Sequence, residues 1–357
     1  MAVETHVVTA TIDPGGLNLV APISGGTLTT DASWVPYHQG QVTVPMGIGD
    51  IGAATLDVLP VRIDASVVGN PDATEQWNLH ARQVRKDYLA DTYTIDVASA
   101  EALVQDWGAN TSSTAFAADR DLSLICRDIL RMVLGNPTLN VGVDTAGLQI
   151  DNTMRVWTAG TPAWDYLAEI CNSMSGRTLS PTAFGSWQIR PAEAFDVAPV
   201  NIPNPEDALS YVEEWSRNGD FADAVTVQFT GGDPSYTTIA VPGSSPAVSV
   251  QVEVKRFGTA YFPTTATAKP ALSKALDTTT TVSRDHPADR RDLYASFVEH
   301  RRRNLGYFLT WRTLSHYGVH PRSAIGDTEM FIDRVTHDFG TNEMNVSARL
   351  PYNGDPV

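Results

Sequence analysis

The stretch VRIDASV, residues 61–67, fits only one regular backbone. Val61, Ile63, Ala65 and Val67 alternate with Arg62, Asp64 and Ser66. A period of two puts the first set on one side of a strand and the second on the other, whereas a helix would scatter both sets around its axis. The same alternation recurs at both ends of the chain. QVTV and TYTIDV carry it early, the latter with Tyr93, Ile95 and Val97 against Thr94 and Asp96. AVTVQFT sets Val225, Val227 and Phe229 against Thr226, Gln228 and Thr230, and VSVQVEVK sets four valines against Ser249, Gln251, Glu253 and Lys255. MNVSARL sets Met344, Val346, Ala348 and Leu350 against Asn345, Ser347 and Arg349. Half-buried strands punctuated by DPGG and SGG turns build antiparallel sandwiches or barrels.

The middle of the chain changes period. DRDLSLICRDILRMVLGNP places Leu122, Ile125, Cys126, Ile129, Leu130 and Val133 on one helical stripe, ended by Gly135 and Pro137. SAEALVQDW forms a shorter helix before it. In TPAWDYLAEICNSMSGRTLSPTAFGSWQIRP, Thr161 is placed to cap a helix with Pro162 at its first position. Trp164, Leu167, Ala168, Cys171 and Met174 form its buried stripe, Gly176 stops it, and RTLS and SWQIRP make a hairpin around PTAFG. The expected fold is mainly β with an α/β insert: two antiparallel β-barrel-like domains flanking a small α+β module. The expected division is 1–100 for the first barrel, 101–136 for a helical connector, 137–203 for the α+β insert and 204–357 for the second barrel, with one helix at about 287–304. GGDPSYTTIAVPGSSPA reads as a long surface loop, and no tandem repeat is visible.

Charge narrows the function. Acidic residues outnumber basic ones 41 to 25, a net charge of −16, which disfavours a general nucleic-acid surface. An acidic wall suits a channel through which DNA slides without adhering. No apolar run approaches the ~20 residues of a membrane helix, and the N-terminus lacks the basic and apolar regions of a signal peptide. Cys126 and Cys171 read as buried thiols of a reducing compartment, with a disulfide or metal site as the alternative.

The possible chemical motifs are poor ones. Gly47, Gly49 and Gly52 match a dinucleotide fingerprint, but the residues after them read as strand rather than as the helix a pyrophosphate needs. His316 and His320 have ligand spacing, yet Gly318 and Pro321 place them in a loop. Glu213 with Glu214, and Asp285 with Asp289, are carboxylate neighbours that read as solvated charge. EHRRRN, residues 299–304, closes an amphipathic helix and reads as ion-pairing. No catalytic, cofactor-binding or metal residue is expected, and the chain is not expected to be an enzyme.

Four stretches, in this order, carry a resemblance. SWVPYHQGQVTVP, TYTIDVASAEALVQDW, the helix-hairpin stretch from Thr161 to Pro191, and the passage from ADAVTVQFTGG through KRFG to IGDTEMFIDRVTHDFGTNEMNVSARL resemble the tail hub or minor tail proteins of long-tailed bacteriophages, the baseplate-hub or late-control-D-like family. The resemblance implies a homotrimer in which two barrels per chain make a pseudo-sixfold ring. Such a ring joins the tail tube to the tip and passes the tape measure protein and genomic DNA without binding them specifically. It implies a virion protein made in the host cytoplasm, and no catalytic residue. The helix-hairpin unit would then brace neighbouring chains. Some hubs bear peptidase or lysozyme-like extensions, and none is expected beyond Pro351–Val357. Two rival readings are a wall-degrading or glycan-binding protein, whose eight tryptophans would stack on sugars, and a receptor-binding tip protein.

Overall fold

The computed structural model describes residues 5–32, 35–51, 59–108, 112–141, 146–150, 154–173, 177–182, 185–191, 208–215, 225–229, 236–240, 252–253, 279–282, 307–321, 324–325 and 328–349. Seven strands come first: β1 (His6–Ile12), β2 (Leu19–Pro22), β3 (Gly25–Asp31), β4 (His38–Pro45), β5 (Pro60–Val67), β6 (Asn70–Asp87) and β7 (Thr92–Ala98). The middle holds α1 (Glu101–Asp106), β8 (Thr114–Ala115), α2 (Leu122–Leu134), β9 (Leu139–Val141), β10 (Val156–Trp157), α3 (Ala163–Ser173), β11 (Arg177–Pro181) and β12 (Trp187–Pro191). Then follow β13 (Ser210–Trp215), β14 (Val225–Phe229), β15 (Tyr236–Ala240), β16 (Val252–Glu253), β17 (Thr279–Val282), β18 (Tyr307–Leu314), β19 (Ala324–Ile325), β20 (Thr328–Asp338) and β21 (Glu343–Arg349). The chain is mainly β, with antiparallel sheets and a small helical module.

VRIDASV, TYTIDV and MNVSARL lie where their alternation puts them, while the side chains of AVTVQFT and VSVQVEVK lie outside the described residues. Val61, Ile63, Ala65, Val67, Tyr93, Ile95, Val97, Met344, Val346 and Ala348 are all buried. Arg349 departs from the pattern. It was expected outward with Asn345 and Ser347, but it is buried over the Phe331 ring, with Nε on the Asp333 carboxylate. Burial of a guanidinium is tolerable there because both its charge and its flat face are matched.

The two strand-rich blocks share one twelve-stranded sheet, in the order β13-β18-β21-β20-β3-β4-β7-β6-β5-β1-β2, with β19 on β20. Within it, Leu19 to Asp31 changes partner midway. β2 pairs with β1 and β3 with β4; at the change, the Ile23 N–H donates to the Val8 carbonyl and the Ser24 N–H to the Thr43 carbonyl, at 3.0 and 2.9 Å.

The sheet contains a repeat that the residues hide. β3-β4-β7-β6 and β13-β18-β21-β20 are the same four-strand order, each running first, second, fourth, third along the chain. The hairpins match in detail. Asp87 Oδ1 accepts from the Leu89 and Ala90 N–H groups, as Asp338 Oδ1 does from Gly340 and Thr341. Asp91 and Asn342 close the turns at φ of 55° and 56°. A bulge sits between Ala81 and Gln83 in one hairpin and between Ile332 and Arg334 in the other. Turn and bulge coincide when 251 is added to a residue number (Asp87 and Asp338, Gln83 and Arg334). The repeat lies in pairing geometry, which tolerates almost any sequence that keeps the alternation.

The middle module has its own core. α1, α2 and α3 pack with the β11–β12 hairpin, so the segments 101–136 and 137–203 share one apolar cluster running from Val104 to Ile189. Asp121 caps α2 by accepting from the Leu124 N–H at 2.8 Å, and Gly135 ends it at φ 83°. The start of α3 falls one residue later than expected. Pro162 contributes the carbonyl that accepts from the Tyr166 N–H, and the helix begins at Ala163. Trp164, Leu167 and Cys171 are buried as the stripe predicts, joined by Tyr166 and Ile170; Met174 and Gly176 lie outside the described residues.

Two differences from expectation are in the strands. The loop expected over 231–247 contains β15, which pairs antiparallel with β14; YTTIA is β-branched and aromatic enough to form a strand between its Pro and Gly breakers. β14 pairs with β17 in parallel inside the block expected to be antiparallel, and the α+β module contains one parallel pair of its own, β12 with β9. The helix expected at about 287–304 lies outside the described residues.

Candidate assembly surface

One face of the twelve-stranded sheet is core, built on Leu28, Val42, Ile95, Val335, Met344 and Val346. The other face is polar across both blocks. Strand register draws a row from Glu343 through Asp338, Thr27, Gln41 and Asp96 to Gln83. A parallel row runs Arg312, Asn345, Thr336, Thr29, Gln39. Hydroxyl and amide groups bind one another along these rows. Thr29 and Thr336 share a 3.0 Å hydrogen bond across the junction of the blocks, and Gln41 Nε2 donates to Asp96 Oδ1 at 2.7 Å. Arg312 pairs with Glu343 at 2.8 Å and Arg334 with Asp31 at 2.6 Å, so these two cations are neutralised in place. The face is hydroxyl- and amide-rich with a small carboxylate excess, rather than the broadly acidic wall that net charge suggests.

A second feature locks the blocks together from the core side. The loop after β18 inserts Tyr317, fully buried, among residues of the first block. The Tyr317 hydroxyl lies 3.2 Å from His6 Nδ1, and its ring stands edge-on to Trp77 and beside His337. Burial raises the phenol to about 12. His320 Nε2 meets the buried Glu75 carboxylate at 2.8 Å. A Cβ on Gly318 would collide with the Asp72 carbonyl, so that position admits glycine alone without movement.

Among the described residues the outer edges of β2, β13 and the end of β6 have no partner strand, and the latter two stand out. β13 pairs with β18 on one side only among the described residues, and Leu209, Tyr211 and Val212 beside it are 57%, 38% and 52% exposed. β6 leaves β5 behind at His80, so from Arg82 to Asp87 it pairs with β7 alone among the described residues. The tip beyond it carries Tyr88 and Leu89, both exposed.

The chemical motifs come apart in the structure. Gly47 sits in a short 3-10 turn (Met46–Ile48) with Gly49 at its end, while Gly52 lies outside the described residues. His316 and His320 are in the loop just described. Glu213 and Glu214 are exposed neighbours on β13. Asp285, Asp289 and residues 299–304 lie outside the described residues. Among the described residues, no group of three or more His, Cys, Asp or Glu is placed to hold a metal. Cys126 on α2 and Cys171 on α3 are buried and free, with Sγ atoms 3.9 Å apart, a contact their 45-residue separation did not announce. The hydrogen bond with the Cys171 sulfur, and then burial, push the Cys126 thiol well up, away from a reactive thiolate. Trp77, Trp157, Trp164, Trp187 and Trp311 are buried in the cores, where none can stack on a sugar. The polar rows were present in the sequence as the outward half of each alternation; what it lacked was which strands stand side by side.

No family model and no curated protein matches the chain. Solved structures do. Over 98% of its length the chain is similar to the tail protein from Neisseria meningitidis MC58, covering 98% of that chain with a TM-score of 0.61 at 14% identity. It is similar over 96% of its length to the 43 kDa tail protein of prophage MuSo2 from Shewanella oneidensis, covering 97% of it with a TM-score of 0.59 at 12% identity. Prophage tail protein gp18 from Listeria monocytogenes EGD-e is matched over 98% of this chain and 95% of its own, with a TM-score of 0.50 at 10% identity. The chain has the fold of phage tail proteins.

Proposed function

We propose that the chain is a structural, non-enzymatic hub of a bacteriophage tail tip. It closes as a homotrimer, and its polar sheet face turns toward a channel for DNA. The observation that carries this reading is the internal repeat. One chain supplies two like four-strand units, so three chains present six similar units around an axis. Such a ring meets a sixfold tube on one side and threefold tip components on the other. In this reading β1, β5, β6, β7, β4 and the run from Leu19 to Asp31 form the first barrel, and the second unit lies in 204–357. The module between them braces neighbours. The partners are the tail tube, the tape measure protein and other tip proteins, and the site of action is the virion after assembly in host cytoplasm.

The polar face supports a passage role. Retaining DNA requires a field of unpaired cations facing its phosphates; Arg312 and Arg334 are paired in place, which leaves Arg85 on this face without an ion pair among the described residues. Uncharged hydroxyls and amides offer weak, exchangeable contacts instead. The test is native mass over a concentration range, combined with DNA retention at low salt. The expected result is a species of three times 38.6 kDa that does not retain duplex DNA. A variant with Thr27→Lys, Gln41→Lys and Thr94→Lys is expected to retain DNA with steep salt dependence. A monomer at every concentration and with tail-tube protein added, or tight DNA binding by the unaltered chain, would exclude the reading.

A further inference from the structure

The junction inside the chain is a template for one between chains. Its outer edges are β20 and β3, which pair antiparallel: Thr336 faces Thr29, His337 faces Leu28, and Asp338 faces Thr27. One step further, the Phe339 N–H donates to the Gly26 carbonyl at 2.9 Å, and the Phe339 ring is buried beside Trp77. In the repeat, β6 corresponds to β20 and β13 to β3. The outer edges of these counterparts, β13 along its length and β6 from Arg82 to Asp87, have no partner strand among the described residues.

Carrying the junction across the repeat sets the register. Strand pairing makes Thr336 equivalent to Arg85 and Thr29 to Glu214, and likewise His337 to Lys86 and Leu28 to Glu213. Arg85 then faces Glu214, and Lys86 faces Glu213. The tip residue equivalent to the docked Phe339 is Tyr88, which is 77% exposed, and Leu89 after it is fully exposed. Tyr88 would meet Tyr211, with Leu209 and Val212 nearby.

We infer that residues 83–89 of one copy dock on β13 of a second copy, continuing the sheet from chain to chain. The inference rests on the trimeric reading above and adds its seam. A second copy is the occupant because each chain carries both halves. The charges also match: Arg85 and Glu214 have no ion pair among the described residues, while Lys86 is held by Asp50 at 2.7 Å and gains a second carboxylate. The contact is heterologous, β6 to β13, and repeats by rotation until the ring closes. It also covers two edges that would otherwise recruit stray strands.

The experiment compares native mass distributions of the full chain and three exposed-site variants, with far-ultraviolet circular dichroism to verify folding. Arg85→Glu is expected to lower trimer association at least tenfold, and Tyr88→Asp likewise. Arg85→Glu combined with Glu214→Arg is expected to restore assembly. If the unaltered chain is trimeric and both single variants remain so at every concentration, the ring stands and this seam is wrong. If the swap fails to rescue, the assigned register is wrong. A chain that is monomeric throughout overturns the ring and the seam together.

Discussion

Tyr317→Ala is expected to cost about 3–5 kcal/mol of folding stability, the range for emptying a large buried site. Tyr317→Phe is expected to cost about 1 kcal/mol, the worth of one hydrogen bond. The difference reflects where the ring sits. It is contributed by the second block but fills the core of the first, between His6, Trp77 and His337. The cavity cannot collapse readily, because Gly318 already lies hard against the Asp72 backbone. Chemical denaturation followed by tryptophan fluorescence measures both variants. A loss below about 1 kcal/mol for the alanine variant would mean that the loop contributes little to joining the blocks.

The second large effect is a response to acid with two opposing parts. His38 and His337 are fully buried, and burial, with the nearby charge of His320, pushes each down to about 3. Both must stay neutral in the fold. Their contribution is therefore complete above the unfolded value of 6.5 and is lost as pH falls from 6.5 toward 3. Between pH 7.5 and 5 this amounts to about 2 kcal/mol for each histidine. Glu101 acts in the other direction. Burial raises it to about 7, even though its Oε1 accepts from the Tyr37 N–H, and Oε2 is buried without a hydrogen bond. Its neutral form suits the fold, so its contribution is present below the unfolded value of 4.5 and is lost as pH rises through 7. Acidification to pH 5 thus returns about 2 kcal/mol at this site. These three groups together should cost the unaltered chain only about 2 kcal/mol, and His80, also pushed down by burial, adds to the loss. Glu101→Gln should be more stable at pH 8 by about 3 kcal/mol and should show the full histidine loss on acidification. Thermal melts from pH 5 to 8 measure both, and parallel curves for the two proteins would exclude this role for Glu101.

Fold class was legible because alternation is a local property. VRIDASV, TYTIDV and MNVSARL each name their buried face without reference to any other strand. The end of α2 was legible for the same reason, from Gly135 and Pro137, whereas its Asp121 cap was not read. Pairings between distant segments were not. Nothing local in GGTLTTD or MFIDRVTHD says that β3 meets β20. The repeat escaped because only Val84 with Val335 and Asp87 with Asp338 are identical between the facing segments 83–87 and 334–338. Long-range contact also misplaced Arg349, whose outward position by parity is overridden by Asp333 and Phe331. The candidate surface was half legible: its residues are the polar members of each alternation, but their rows exist only once the strands are ordered.

The pairing of β3 with β20 has a consequence for how the chain is made. β3 meets β4 within a few residues of leaving the ribosome, but its other neighbour emerges only after about 300 more. At roughly 5–20 residues per second that delay is about 15–60 s. Throughout it, a strand of threonines presents an open edge, and the first block has neither Tyr317 nor Phe339 to complete its core. Biogenesis therefore has a window in which the nascent chain is incomplete and prone to mispairing. Chaperone dependence, and the fate of chains whose translation stalls, should be decided within it.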